Sequence, residues 1–528
     1  MLSRFLIALA FQAAFFTTAA PAGAPIISLD GGTFTGVAVG STERFLGIPF
    51  AKPPVGNLRY RLPQANAPYQ GSYDATSFGP SCPQKSTGIP VLIGLTSQAA
   101  EVVDSVYKKI SPDAEDCLTL NVIKPASTTP TSKLPVLIWI FGGGFDSGSP
   151  TIYDGTTIVA RSITLGTPVI YVSMNYRLAG FGFLPGKEVK AAGVGNLGLQ
   201  DQRQAFRWVQ KYITQFGGDP TKVTIWGESA GAISVSLHMV ANGGNTEGLF
   251  RAAFMQSGAP IPVGDIANGQ ESYDTLVSDT GCSDASDTLA CLRTVPYGAL
   301  KAAIDKSPRL FDYQPLRLSW LPRTDGVFLT DNPQRLVQQG KVAKIPYVTG
   351  NCDDEGTLFS LSSLNVTTES QLKSYAKTIF LPGATNEEIE QLATLYPGDI
   401  TEGSPFDTGV LNAITPQIKR IAAFQGDGIF QAPRRWMLQN TLPSNPNVWV
   451  FLSKRMKFLP VLGSVHASDI PNVLDPNGKS GFQWPKYTLG SRQLLTFLDG
   501  FIPLTITSDT YREASMNYLT NITLTYPV

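Results

Sequence analysis

Histidine is nearly absent from this chain: His238 and His466 are the only two in 528 residues. Chemistry that needs an imidazole therefore has two places to happen. There is no C-x-x-C pair and no histidine cluster, which argues against a zinc site built from Cys and His. Charged residues are scarce at 16%, and Lys+Arg balances Asp+Glu at 41 each. Without a basic run there is no positive surface to meet phosphate, which argues against a nucleic-acid partner. Past the N-terminus, no stretch is apolar over the roughly 20 residues a bilayer span needs. Internal repeats and low-complexity linkers are missing too. What is there in quantity is apolar side chain: 43% hydrophobic residues, with 28 Phe, 18 Tyr and 7 Trp. That is far more than a disordered chain carries.

The N-terminus reads as a secretory signal over residues 1–22, with cleavage within 20–24. Arg4 gives a positive start, Phe5–Phe16 is mostly apolar, and Ala20-Pro21-Ala22 fits the small-x-small cleavage pattern. A buried N-terminal helix is the alternative reading. Export predicts a secreted, extracellular protein and makes the five cysteines candidates for disulfides. Local spacing suggests Cys282 with Cys291 and Cys82 with Cys117, leaving Cys352 free. Loop-closure entropy would make each bridge worth roughly 3 to 4 kcal/mol. Asn365-Val366-Thr367 and Asn521-Ile522-Thr523 are glycosylation sequons, meaningful in an exported chain.

Early segments predict short strands with tight turns: Ile26–Leu29, Thr33–Val37 and Phe45–Phe50, broken by Gly31-Gly32 and Pro53-Pro54. Then buried strands alternate with helices. Leu134–Phe141 and Pro168–Met174 are continuous apolar runs, as expected for strands covered on both faces. Leu199–Phe216 carries Phe206, Val209, Ile213 and Phe216 at helical spacing and stops at Gly217-Gly218. Lys222–Trp226 predicts a strand and Ala230–Val240 a helix. Ala252–Gln256, Ile345–Thr349 and Val448–Leu452 predict three further strands. This alternation makes a mostly parallel α/β sheet, here as one large domain over 23–528.

The chemistry concentrates at Gly227-Glu228-Ser229-Ala230-Gly231, a G-x-S-x-G sequence. Alone it is a weak signal. A strand ends at it and a helix starts from it, and that is the context in which the motif lifts a serine hydroxyl above a sheet. A plain strand-to-helix turn is the alternative. A serine needs a base, and only two histidines exist. His238 lies nine residues along the same helix, about 13 Å away and turned to the opposite face. His466 remains, on a loop after the strand Val448–Leu452.

The order Ser, acid, His places the acid between 229 and 466 at the carboxyl end of a strand. Ile345–Thr349 runs into Gly350-Asn351-Cys352-Asp353-Asp354-Glu355-Gly356, and spacing alone does not choose among its three carboxylates. Oxyanion donors are expected at Gly142-Gly143-Gly144-Phe145, a Gly-rich turn like the HGGG-type element of esterases. Phe141 replaces the usual histidine. Neither G-x-x-x-x-G-K-[ST] nor G-x-G-x-x-G occurs there, which disfavours a nucleotide-binding turn.

Taken in order, these motifs resemble the type-B carboxylesterase/lipase family of the α/β-hydrolase fold, and in particular its secreted fungal lipase branch. The resemblance also rests on Phe45-Leu46-Gly47-Ile48-Pro49-Phe50-Ala51, Glu115-Asp116-Cys117-Leu118, Asn175-Tyr176-Arg177 and Asp354-Glu355-Gly356, and spans nearly all of 23–528. It implies a large central mostly parallel mixed sheet flanked by helices, with a lid at 83–116 and helical insertions. It implies Glu355 as the acid, N–H donors at Gly143, Gly144 and Ala230, the two disulfides above, and buried pairs Arg59–Glu115 and Arg177–Asp201. The lid would carry an apolar helical stripe through Ala99, Val102, Val103, Val106, Tyr107 and Ile110. The activity implied is triacylglycerol hydrolysis with broad esterase activity and no metal or organic cofactor, with transient contact to lipid–water interfaces. A sterol esterase and a short-chain or aromatic carboxylesterase are the alternatives within the class. A non-catalytic adhesion or binding homologue is the alternative outside it, disfavoured by intact Ser229, Glu355 and His466. Cys352 departs from the expected pattern beside the acid, and no imidazole is left to activate its thiol.

Overall fold

The computed structural model describes residues 23–86, 88, 112–470 and 483–527. The expected signal segment and the apolar stripe of the expected lid lie outside them. Among the described residues, eleven strands form one sheet and three form a small separate one. The small sheet joins β1 (Ile26–Leu29), β2 (Gly31–Thr35) and β5 (Gln70–Asp74).

The large sheet contains β3 (Val37–Val39), β4 (Thr42–Pro49), β6 (Thr119–Pro125), β7 (Leu134–Ile140), β8 (Ile170–Met174) and β9 (Gly218–Glu228). It continues with β10 (Ala252–Gln256), β11 (Tyr347–Cys352), β12 (Val448–Ser453), β13 (Gln493–Phe497) and β14 (Leu504–Ser508). Their order is β14-β13-β12-β11-β10-β9-β7-β8-β6-β4-β3. The strands from β8 through β13 in that order pair in parallel, and antiparallel pairs close both edges. Helices cover both faces, so central strands such as β8, buried at all five residues, carry apolar side chains on either side.

Several predicted boundaries shift for physical reasons. The strand expected over Thr33–Val37 splits at Gly36, where any side chain would overlap the Arg44 carbonyl and the Phe45 ring, and the chain crosses from the small sheet to the large one. The strand expected from Ile345 starts at Tyr347 because Pro346 has no N–H to pair. It also runs on to Cys352, deep into the acidic turn. The helix expected over Leu199–Phe216 is α1 (Leu197–Tyr212) tightening into a 3-10 turn at Ile213–Phe216. The strand β6 was not anticipated from sequence. All seven of its residues are buried, yet polar Thr119, Asn121 and Lys124 break up the apolar pattern.

Cys82–Cys117 and Cys282–Cys291 are disulfide-bonded, and Cys352 is a buried free thiol. Arg59 and Arg177 each grip their carboxylate with two nitrogens. Arg59 Nε and Nη2 donate to Glu115 at 2.6 and 2.7 Å, and Arg177 Nε and Nη2 to Asp201 at 2.8 and 2.7 Å. Such fork-on-fork pairs fix orientation as well as charge. The Asn365 and Asn521 side chains are exposed.

Candidate active site

Parallel strands point their carboxyl ends the same way, and ligand sites in open α/β sheets gather there. Four of the strands end in residues singled out from sequence. β7 runs into Gly142–Phe145, β9 into Ser229, β11 into Glu355, and β12 into the loop that carries His466.

Ser229 stands at the turn between β9 and α2 (Ala230–Val240), with φ 55° and ψ −126°. A non-glycine residue in that region is strained by about 1 to 3 kcal/mol. The flanking glycines make the turn possible. A Cβ on Gly227 would overlap the backbone of Gly231, and one on Gly231 would overlap the Ile140 carbonyl at the end of β7. The turn thus presses helix, strand and neighbouring strand together, and Ser229 Oγ is left facing the cavity above.

His466 reaches Ser229 from the other side. Its Nε2 lies 2.8 Å from Ser229 Oγ and its Nδ1 lies 2.6 Å from Glu355 Oε2. The other Glu355 oxygen accepts from Asn351 Nδ2 at 3.0 Å and from the Cys352 N–H at 2.8 Å. Asn351 is itself fixed, because its Oδ1 accepts from Arg434 Nε at 2.7 Å, and the same guanidinium pairs with Asp509. The rings of Phe359 and Phe430 pack on His466 at 5.4 and 4.6 Å between centroids. Phe430 is presented by a π-helical turn, Asp427–Gln431, between α3 (Ile418–Gly426) and α4 (Ala432–Thr441). Such irregular turns are frequent at functional sites.

The two other carboxylates of the acidic turn face away from the imidazole. Asp354 pins the histidine loop to the acid loop: its N–H donates to the Ser464 carbonyl and its Oδ2 accepts from the Ser464 N–H. It also accepts from Lys457, Ser404 and the Phe406 N–H. Asp353 pairs with Lys457. The second histidine stays out of the site. His238 is wholly buried, its Nε2 is 2.9 Å from Gln202 Oε1, and it packs between Phe206 and Phe328. Burial and nearby arginines hold its pKa well below the ordinary value.

Two acidic groups here were not singled out from sequence. Glu228, the second residue of the motif, is buried with Oε1 3.3 Å from His466 Nε2. Burial pushes its carboxyl up to about 8, against the pull of His466. Asp469 lies in the same buried layer, accepting from Gln256 Nε2 at 3.1 Å. Burial raises it to about 6. Burial also disfavours the His466 cation, but Glu355 and Glu228 outweigh that and hold the imidazole up to about 9. Glu228 was visible as the variable position of G-x-S-x-G. Arg434, Asp509 and Asp469 had no sequence signal, since they join the site only through space.

A cavity of about 260 Å³ opens above these groups. Gly143, Gly144 and Ala230 line it together with Ser229, Glu228 and His466. The glycines at 143 and 144 have φ of 108° and 66°, a backbone that a side chain would strain. Most of the remaining wall is apolar, with Ile233, Ile261, Leu310, Leu318, Leu321, Phe359 and Phe430. Cys352 does not reach it. Its thiol is 3.5 Å from Ser468 Oγ, and burial raises its pKa well above the ordinary value. Among the described residues, no three His, Cys, Asp or Glu side chains are grouped to hold a metal ion. Nor is any helix there long and apolar enough to cross a membrane.

Comparison with known proteins bears on this arrangement. The model of the carboxylesterase family matches residues 23–496. Lipase 5 of Diutina rugosa is 46% identical over 508 residues, covering 90% of this chain and 91% of the relative. A secreted triacylglycerol lipase of Gibberella zeae is 43% identical over 456 residues, covering 85% and 78%. The crystal structure of Aspergillus niger EstA superposes with a TM-score of 0.79 at 27% identity, covering 95% of this chain and 98% of that one. The fold is that of the α/β-hydrolases, and the large mixed sheet flanked by helices agrees with it. This chain belongs to the carboxylesterase family and is a carboxylic ester hydrolase.

Proposed function

We propose that the chain is a secreted triacylglycerol lipase with broad esterase activity, acting through Ser229, His466 and Glu355. The observation that carries this reading is the single imidazole held between a serine hydroxyl at 2.8 Å and a carboxylate at 2.6 Å, beside an apolar cavity. Ser229 Oγ attacks the acyl carbonyl while His466 Nε2 takes its proton. The tetrahedral oxyanion is held by the N–H groups of Gly143, Gly144 and Ala230, each worth about 3 to 4 kcal/mol when aligned. His466 returns the proton to the departing alcohol, and the acyl group stays on Ser229. Water then attacks the acyl carbon while His466 takes its proton, and His466 returns that proton to Ser229 Oγ as the acyl–oxygen bond breaks and the fatty acid leaves. Glu355 keeps the proton of the neutral imidazole on Nδ1 and stabilises the imidazolium that forms.

The apolar wall supports acyl chains over charged substrates, and the name of the secreted Gibberella zeae relative supports export. The two sequons are proposed as occupied, since both asparagines are exposed. The test is turnover by purified protein of p-nitrophenyl esters, emulsified triolein and cholesteryl oleate, with an organophosphate to label the nucleophile. Triolein turnover together with label on Ser229 is the expected result. Activity confined to the p-nitrophenyl or cholesteryl ester would replace the lipase reading by a carboxylesterase or sterol esterase. Label on another residue would sink the triad, and no turnover at all would favour a binding homologue.

A further inference from the structure

Soluble proteins seldom leave large apolar side chains clustered in water, and such clusters mark interaction surfaces. Three loops here do so together. The hairpin tip between β13 and β14 presents Phe501, fully exposed, and Ile502 at 71% exposure. The excursion after β12 presents Phe458 at 66%, and the segment before α3 presents Val410 and Leu411 at 60% and 68%.

Hydrogen bonds tie these loops into one surface. Asp499 at the hairpin accepts from the N–H groups of Met456 and Lys457, and the Lys454 N–H donates to the Phe497 carbonyl. On the other flank, Asn412 Oδ1 accepts from the Val461 N–H, and Lys454 Nζ pairs with Asp407. The loops hang from the carboxyl ends of β12 and β13, the end at which Ser229 and Glu355 stand. Phe458 shares its loop with His466.

The charges around the patch fix what can sit on it, and Arg455 among them lies over the Phe497 ring. Lys457 is neutralised by Asp353 and Asp354, Lys454 by Asp407, and Asp499 by two backbone N–H groups. None of these groups is left to specify a charged partner, and covering the patch breaks none of these bonds. We infer that Val410, Leu411, Phe458, Phe501 and Ile502 form a docking surface for the uncharged surface of a lipid droplet. It would seat the enzyme with its catalytic face toward the substrate phase. The occupant rests on the lipase reading above, because an apolar cavity at the same end of the sheet as an apolar patch is what a substrate supplied from a lipid phase requires.

The test uses full-length protein and separates binding from catalysis. Flotation with phosphatidylcholine-coated triolein droplets is measured in a Ser229→Ala background, where no turnover consumes the droplet. Phe501→Ser with Ile502→Ser should weaken droplet binding about a hundredfold, from the apolar area no longer buried, and Phe458→Ser about tenfold. Ile26→Ser, an exposed apolar residue on the small sheet, should change nothing. With Ser229 restored, the patch variants should hydrolyse dissolved p-nitrophenyl butyrate at the wild-type rate, which shows an intact fold. Unchanged droplet binding in the patch variants would overturn the inference, as would an equal loss in Ile26→Ser. So would a patch variant that turns a dimer into a monomer while still binding droplets, because the surface would then join two copies of the chain. Failure of wild type to hydrolyse triolein would overturn the lipase reading by a separate measurement.

Discussion

Glu355→Gln replaces a buried carboxylate by its closest isostere, and the network around it dictates which way the amide points. One end of residue 355 faces two donors, Asn351 Nδ2 and the Cys352 N–H, at 3.0 and 2.8 Å. The other end faces His466 Nδ1. If the glutamine turned its NH₂ toward the two donors, two buried N–H groups would lose their acceptor, at about 1 to 3 kcal/mol each. Asn351 cannot relieve this by flipping, since its oxygen is taken by Arg434 Nε. The amide oxygen therefore stays with the donors, favoured by about 2 to 6 kcal/mol, and the NH₂ faces His466. Nδ1 must then accept, which puts the imidazole proton on Nε2, against Ser229 Oγ. That tautomer cannot take the serine proton, and kcat should fall about 10⁴-fold with little change in melting temperature. Glu355→Ala should cost comparable activity but also lower the melting temperature, because Asn351 and Cys352 lose their acceptor. Turnover of p-nitrophenyl butyrate at pH 8, with thermal melts of both variants, checks this. A Gln variant that keeps more than a tenth of wild-type kcat, or melts as low as the Ala variant, would refute the reasoning.

Three further outcomes follow from the same geometry. Glu228→Gln removes a carboxylate that favours the His466 cation, so the imidazole gives up its proton at lower pH. The base works neutral, so the acid limb of kcat/KM should move down in pH, and an unmoved or raised limb would contradict this. Gly231→Ala forces a methyl group into the Ile140 carbonyl, which should cost at least about 1 to 3 kcal/mol in denaturant unfolding and most of the activity; wild-type stability would refute the close contact. Asp509, buried between Arg434 and Arg435, is held well below the ordinary carboxylate range by those arginines, burial notwithstanding. Its stabilisation is present above its unfolded pKa near 4 and lost as pH falls through the depressed folded value. Asp509→Asn should therefore cost about 3 to 5 kcal/mol at pH 7, with the deficit shrinking toward pH 2. A deficit independent of pH would show that charge is not the cause.

How far the sequence could be read depended on whether a feature is local. The strands at Ile26–Leu29 and Ala252–Gln256 and the helix at Ala230–Val240 have the predicted ends, because glycines or a change of period mark them. Scarcity of histidine singled out His466, since helix geometry alone separates His238 from Ser229. Three carboxylates in a row gave no local reason to prefer Glu355, and that choice needed the family resemblance. β6 was hidden because its polar residues are used inside the fold. Asn121 Oδ1, for example, accepts from the Gly47 N–H, while its Nδ2 donates to Ser173. Arg434 and Asp509 were equally unreadable. Asn351 and Arg434 are 83 positions apart in the chain, and their hydrogen bond exists only once the sheet and α4 are packed.

The bond between Asp354 and the Ser464 backbone has a consequence for how such a protein can change. It fastens the start of the His466 segment to the acid loop, downstream of the whole excursion that follows β12. Lys457, within that excursion, holds Asp354 as well, so insertions or substitutions at 458–461 alone are uncoupled from the position of the imidazole. That tip can be exchanged for the surface it presents, to water or to an oily phase, while acid and base move as one body. A lineage could diversify its outer contacts through that loop without re-optimising its chemistry.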